Sequence, residues 1–477
     1  MLKKVLSAVL AFILACSLFG CGEGQSENQT ETETTVEDLY TEEQLNNCDA
    51  VEIAIDGTPL SEFTGDKTQY WHSVKRLRQP PEITVTPAEK DATVNVEATR
   101  QKAVITVTSS NGQKERTYTV DFIDIATYNK YNLDLYTLPF WKGNIVYNET
   151  LMFVGETEAP LLYYPDKVLS VRSYDLAYEY EEGVDYEVRD GKIVLLEGTK
   201  IPSFTLEEFY PASPELSLAQ TQLCNVAGHR YILFSEGSFF FKRQIHVTYA
   251  HTEEWNGAIP EKSEKLHSFI ERAEAGEELN LVFFGDSITT GGNASGKTNC
   301  PPYTDIWPVM VKNVIANKFP QAQINYINTA VGGKETNWAI ENLKESVIDK
   351  NPDMVILGFG MNDGSKLPSE YETNTRKLVE EILRAHPDCE IVLLATMLPH
   401  FRLTNFHKNQ SLFEDRLYKI AREYDNVDVV PMTSIHTSIL EHKRYYDMTG
   451  NNVNHPSDFL VRIYAQSILE VILGTDE

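Results

Sequence analysis

The chain is short of positive charge. Only 42 Lys and Arg stand against 70 Asp and Glu, a formal net charge of -28 over 477 residues. With so little to neutralise phosphates, nucleic acid is excluded as a partner. An acidic coat leaves neutral or polyhydroxylated ligands unrepelled. Cysteine is also scarce: there are six, widely spaced, with no Cys-x-x-Cys pair. No metal-binding signature follows from them, and no His-Glu-x-x-His or paired His–carboxylate motif supplies one. The glycine-rich stretch "SITTGGNASG" lacks the Lys-Ser/Thr ending of a phosphate-binding loop. No metal or organic cofactor is therefore expected. The apolar run "VLSAVLAFILACSLF" is about 15 residues long, short of the roughly 20 that a bilayer span needs.

That run follows the basic start "MLKK" and has the length of a signal-peptide core. The "LFGC" after it, ending at Cys21, resembles a bacterial lipoprotein lipobox. The resemblance implies cleavage before Cys21, a diacylglyceryl group on its sulfur, and a protein exported and held at the cell surface by two acyl chains. A plain secretory signal with an incidental cysteine is the alternative. Residues 22–47 contain eight acids and no Lys or Arg. Such a stretch cannot bury apolar surface and repels itself, so it reads as a tether. The remaining cysteines, Cys48, Cys224, Cys300 and Cys389, read as free thiols.

A length of 477 residues exceeds one core. From Cys48 to about Asp124 the pattern has period two. "TVNVEA" alternates through Val94 and Val96, and two strands flank Asn111-Gly112, a hairpin signal. Residues 48–125 read as a β-sandwich that looks like the Ig-like or cadherin-like modules of bacterial surface proteins. Residues 126–262 carry further strands, with a hairpin turning at Asp190-Gly191 and the aromatic strand "FFFKRQIHVTYAH" with polar alternates. A second β-sandwich or jelly roll is expected there. Its Trp141, Tyr163, Tyr164 and Trp255 can stack on sugar rings or fill the core, and core packing is the better reading of any one. From 263 to 477 the pattern changes. Apolar strands ("LNLVFFGD", "INYINTAV", "MVILGFG", "CEIVLLATM", "VDVVP") alternate with amphipathic helices. That alternation predicts a parallel sheet covered on both faces.

Ligands of open α/β sheets sit outside the carboxyl ends of the strands. Ser287 follows the first of these strands, Gly332-Gly333 the second, and Asn362 the third; His455 lies near the C-terminus in "NNVNHP". Acyl transfer needs such a set. A serine hydroxyl requires a base within hydrogen-bond reach, and His455 can take its proton and return it to a leaving alcohol. The oxyanion formed needs fixed donors, each worth roughly 3–4 kcal/mol. Gly333 brings a main-chain N–H close without a Cβ, Asn362 brings an amide, and Ser287 its own N–H. Asp286 braces the turn.

The blocks "GDSIT", "NTAVGG", "GMND" and "NHP", in that order, resemble those of the SGNH, or GDSL, hydrolases. The resemblance covers roughly residues 279–477. It implies a three-layer flavodoxin-like SGNH fold for the C-terminal α/β domain, so that the chain is expected to be multidomain, with the two all-β sandwich domains read from the strand pattern preceding it. It also implies Ser287 as nucleophile, Gly333 and Asn362 as oxyanion donors, and His455 as base. Gly333 is preferred to Gly332 because it holds the family's position counted from Asn328.

One position departs from the family pattern. An Asp is expected three residues before the histidine, and here Asn452 stands there. Either a Ser–His dyad operates with Asn452 or a backbone carbonyl holding the ring, or Asp447 or Asp458 reaches it, or the site is degenerate. His386, His400, His407, His436 and His442 are expected at the surface. Trp338 and Tyr303 are candidate substrate contacts or core residues. The context resembles bacterial carbohydrate esterases, implying deacetylation of an O-acetylated glycan or another small ester. A lipase or thioesterase of the same fold, and a non-catalytic glycan-binding lipoprotein, are the rival readings.

Overall fold

The computed structural model describes residues 45–60, 63–74, 80–99, 102–124 and 129–474. The stretch read as a signal sequence, Cys21 and nearly all of the segment read as a tether lie outside the described residues. Among the described residues no helix is long and apolar enough to cross a membrane. The chain is multidomain, strand-rich in its N-terminal part and α/β in its C-terminal part.

In the first module one sheet holds Ala50–Ile55, Thr58–Pro59 and Ile83–Pro87, and the other Gln69–Val74, Glu115–Asp124, Lys102–Thr108 and Thr93–Ala98. Ile53, Ile55, Ile105, Val107, Tyr118 and Val120 fill the space between. The hairpin around Asn111-Gly112 forms, with Gly112 in the left-handed region at φ 69°. Val94 and Val96 lie on the edge strand Thr93–Ala98 and are exposed, so their alternation marks a strand but no buried face.

In the second module the sheet core is Lys167–Ser173, Gln244–Ala250 and Ile145–Val154, all antiparallel. Asp190-Gly191 forms a two-residue turn between Arg189 and Lys192, both turn residues having positive φ, the hairpin geometry that Asp-Gly favours. All seven residues of "QIHVTYA" are buried, its polar alternates included. Ile245, Val247 and Tyr249 face the module's own core, and the polar alternates have protein over them too. Gln244, for instance, donates to the carbonyl of Thr449. One apolar cluster runs from Leu151, Phe153 and Tyr249 into Leu281, Phe283, Trp307 and Ile468 of the C-terminal domain. The seam also holds a fully buried ion pair between Glu149 and Lys443.

The C-terminal sheet is all parallel. Its strands are β1 Glu278–Gly285, β2 Gln323–Asn328, β3 Met354–Gly358, β4 Glu390–Leu394 and β5 Val427–Val430, in spatial order 2-1-3-4-5. Helices are α1 Ser268–Glu274, α2 Trp307–Lys318, α3 Thr336–Ser346, α4 Pro368–Ala385, α5 Glu414–Ala421, α6 Met432–Leu440 and α7 Asp458–Leu473. Alternation along each strand divides the core. Leu281, Phe283 and Ile356 meet α1, α2, α6 and α7, while Val282, Phe284, Val355 and Leu357 meet α3, α4 and α5. Each such side chain contributes about 1.5–3 kcal/mol of burial. Helix α7 is buried from Asp458 to Ile472, because it is covered by the second module as well as by the sheet. This strand order reverses at β1, so loops after β1, β2 and β3 meet at one crevice.

Candidate active site

The corner after β1 begins at Gly285, where a Cβ would lie 2.2 Å from Thr289 Oγ1 and 2.4 Å from the Gly358 carbonyl. Only glycine lets the chain turn so tightly against β3. Asp286 is buried, and its Oδ1 accepts from the Ile288 N–H at 2.9 Å. Burial pushes its carboxyl up to about 7, against the backbone bonds that pull it down. It braces the turn, as expected. Ser287 is half-buried at the apex, and its carbonyl accepts from Gly292 N–H and Thr290 Oγ1, both at 2.8 Å.

The loop after β2 is tied to this corner. Val331 N–H donates to the Gly285 carbonyl at 3.0 Å, and the Asn328 amide to the Thr289 carbonyl at 3.0 Å. Gly333 adopts φ 73°, which an L side chain rarely takes, and a Cβ there would meet nothing within 4 Å. The glycine is thus required by its backbone conformation and not by crowding; the close neighbour is Gly332, whose Cβ would stand 3.7 Å from Cβ of Ser287. The Asn362 amide donates to the Lys334 carbonyl at 3.1 Å and so joins the loops after β2 and β3. Asp363 beside it accepts from the Thr336 N–H and hydroxyl, capping the start of α3. Among the described residues the main-chain N–H groups of Ser287 and Gly333 have no acceptor.

His455 Nε2 lies 2.9 Å from Ser287 Oγ, across 168 residues of chain. Its own N–H donates to Asn451 Oδ1, and its carbonyl accepts from Gly450 N–H and Thr449 Oγ1. The other ring nitrogen, Nδ1, lies 2.6 Å from Asn293 Oδ1 and 3.3 Å from Glu236 Oε2. The Asn293 amide nitrogen donates to the carbonyls of Gly237 and Gly450, both at 3.2 Å. Its oxygen must therefore be the atom facing Nδ1, which makes Nδ1 the protonated nitrogen and leaves Nε2 bare to accept from the serine. Gly292 makes room for the ring: a Cβ there would lie 3.0 Å from His455 Cε1 and 3.1 Å from Nδ1.

None of the three side chains considered as the third partner reaches the ring. Asn452 is buried at φ 68°, and its amide donates to the Leu233 carbonyl at 2.8 Å. Asp447 accepts from Arg444 and from the Met152 N–H; Asp458 accepts from the Ser295 N–H. Asn293, Glu236, Gly292 and Asn451 were not picked out by sequence reasoning. Asn293 had a signal, an amide in the glycine-rich turn six residues after the serine; Glu236, in the β-rich part, had none. Two of the histidines expected at the surface, His400 and His436, are buried; His442 is exposed, while His386 and His407 are half-buried. His400 sits against Tyr445 and His436 under the strand ends, positions that periodicity in one segment does not reveal. Tyr163 is buried, Trp141, Trp255 and Trp338 pack partly buried on apolar clusters, and Tyr164 and Tyr303 are exposed. Cys48, Cys224, Cys300 and Cys389 are buried free thiols. Among the described residues no cluster of His, Cys, Asp and Glu is arranged to hold a metal ion.

The five-stranded parallel sheet thus carries a serine on its first corner and a histidine hydrogen-bonded to it. Residues 283–459 match the GDSL-like lipase/acylhydrolase family. Among curated proteins the chain is similar to an uncharacterized protein of Mycoplasma pneumoniae, 23% identical over 175 residues, which are 35% of this chain and 19% of that one. The chain thus spans about a fifth of the length of that relative. Similar solved structures include a two-domain esterase active on acetylated mannans, 24% identical, covering 43% of this chain and 52% of that one with a TM-score of 0.36. An acetylxylan esterase from Geobacillus stearothermophilus is 21% identical, covering 41% of this chain and 94% of that one with a TM-score of 0.35.

Proposed function

We propose that the protein is a serine esterase that removes acetyl groups from O-acetylated carbohydrate, exported and lipid-anchored through Cys21. The observation that carries the esterase reading is the 2.9 Å contact between Ser287 Oγ and His455 Nε2, with Nδ1 already committed as a donor. In the proposed reaction the hydroxyl proton passes to Nε2 as Oγ attacks the ester carbonyl carbon. The carbonyl electrons move to oxygen, where the N–H groups of Ser287 and Gly333 and the Asn362 amide receive the charge. Collapse expels the alcohol, which takes the proton from His455; water then attacks the acyl-Ser287 with His455 as base.

The carbohydrate assignment draws on the two β-sandwich modules, on the acidic coat that suits an uncharged polyhydroxylated substrate, and on the exposed ring of Tyr303 on the loop that follows Asn293. The anchoring draws on the basic start, the apolar run and "LFGC". The test has two arms. A fluorophosphonate probe is expected to label Ser287 and to fail on S287A; failure to label the natural chain would mean a non-catalytic binder. Acetate release from a panel of acetylated glycans, beside a series of p-nitrophenyl esters, is expected to favour acetyl. A preference for long acyl chains would make the protein a lipase or thioesterase.

A further inference from the structure

Glu236 lies on the loop after the strand Tyr231–Phe234 of the second module, outside the hydrolase sheet. Its Oε2 is 3.3 Å from His455 Nδ1, and its Oε1 accepts from the Asn451 amide at 3.2 Å. The loop around it is held at the site. Gly237 gives its carbonyl to Asn293, and Leu233, on the strand before, gives its carbonyl to Asn452. The seam behind the loop is hydrogen-bonded, with Thr150 Oγ1 donating to the Asp447 carbonyl at 2.6 Å and Gln244 to the Thr449 carbonyl.

The other acids nearby are otherwise engaged, Asp447 with Arg444, Asp458 with Ser295, and Asp286 within the serine turn. The groups that face the ring are therefore Ser287, Asn293 and Glu236, and of these only Glu236 carries charge. A neutral amide fixes the tautomer but cannot balance the imidazolium that forms when the serine is deprotonated.

We propose that Glu236 of the second β module supplies this balancing charge in place of the missing family aspartate, so that the active site is completed across the seam between the two parts of the chain. The inference rests on the esterase reading above. Asn293 sets the tautomer, and Glu236 acts through His455 as a positioning and charge-balancing residue. Although burial raises the Glu236 carboxyl, the hydrogen bond and charge of His455, with the Asn451 and Asn293 amides, hold it below the ordinary glutamate value. The side chain is 53% exposed, so solvent screens the interaction and its effect is smaller than that of a buried triad acid.

The test uses the full chain with E236Q and E236D on p-nitrophenyl acetate across pH. For E236Q, kcat is expected to fall about 10- to 100-fold, less than the roughly 10⁴ lost when a buried triad acid is neutralised, with KM and Tm little changed. The acid limb of its kcat/KM profile moves to lower pH, because the imidazolium loses its anion, and E236D recovers part of the rate. If the natural chain is labelled by fluorophosphonate but E236Q matches it in kcat and pH profile, this inference is overturned and the esterase reading stands. If the natural chain is not labelled, both fall.

Discussion

The side-chain amide of Asn452 donates to the carbonyl of Leu233 at 2.8 Å. The residue that stands where the family keeps its acid thus joins the hydrolase domain to the second β module, and the histidine three residues on takes its partners from elsewhere.

Restoring the family residue at that position should therefore not help. In N452D a carboxylate would face the Leu233 carbonyl in a fully buried place. We expect no gain in kcat and a loss of stability on the order of 3 kcal/mol. Thermal melts and steady-state kinetics check both; a rise in kcat would mean that position 452 does serve the ring.

Gly292 is predicted to be a glycine whose loss acts directly on the Ser287–His455 contact. A Cβ would lie 2.9 Å from the Ser287 carbonyl and 3.0 Å from His455 Cε1, so both the backbone of the serine corner and the ring must shift. G292A should lose about 10- to 100-fold in kcat, since small misplacements of reacting groups cost that much. A fluorophosphonate labelling rate should fall in step with kcat.

The Glu149–Lys443 pair has both side chains at 0% exposure, and Glu149 also accepts from the Tyr249 hydroxyl at 2.7 Å. Truncating one partner strands the other charge. K443M should lose about 3–5 kcal/mol, read as a lower denaturation midpoint of the second module and hydrolase domain, and E149Q/K443M should recover part of it.

Acid should unfold the protein through its buried imidazoles. Burial lowers His246 and His251 to about 4, and His400 and His436 to about 3, from an ordinary 6.5. Between those values the unfolded chain binds more protons than the folded one. Their stability is fully present above about pH 6.5 and is lost as the pH falls through the folded values. Asp286 works the other way, its contribution declining as pH rises from about 4 to about 7. Tm is expected to fall on acidification below about pH 6.5, and less steeply in H400N.

Much of this was legible in local pattern. Apolar runs such as "LNLVFFGD" and the amphipathic spacing of Trp307, Val311 and Ile315 are set by which faces a strand or helix must bury, so the parallel sheet and its order of loops followed. Asp190-Gly191 specified its turn through backbone conformation alone. The failures share one cause. In "QIHVTYA" the polar alternates are buried as well as the apolar ones; periodicity reports the two faces of a strand but not what covers the second one. His400 and His436 were misread for the same reason.

The sequence by itself determined the α/β domain, the serine corner and the histidine that meets it, because four short blocks carry backbone and chemical requirements that are local. Only the tertiary structure decided what stands behind His455. Hydrogen bonding depends on distance in space, and Asn293 and Glu236 reach the ring through the packing of loops whose separation along the chain leaves no linear trace.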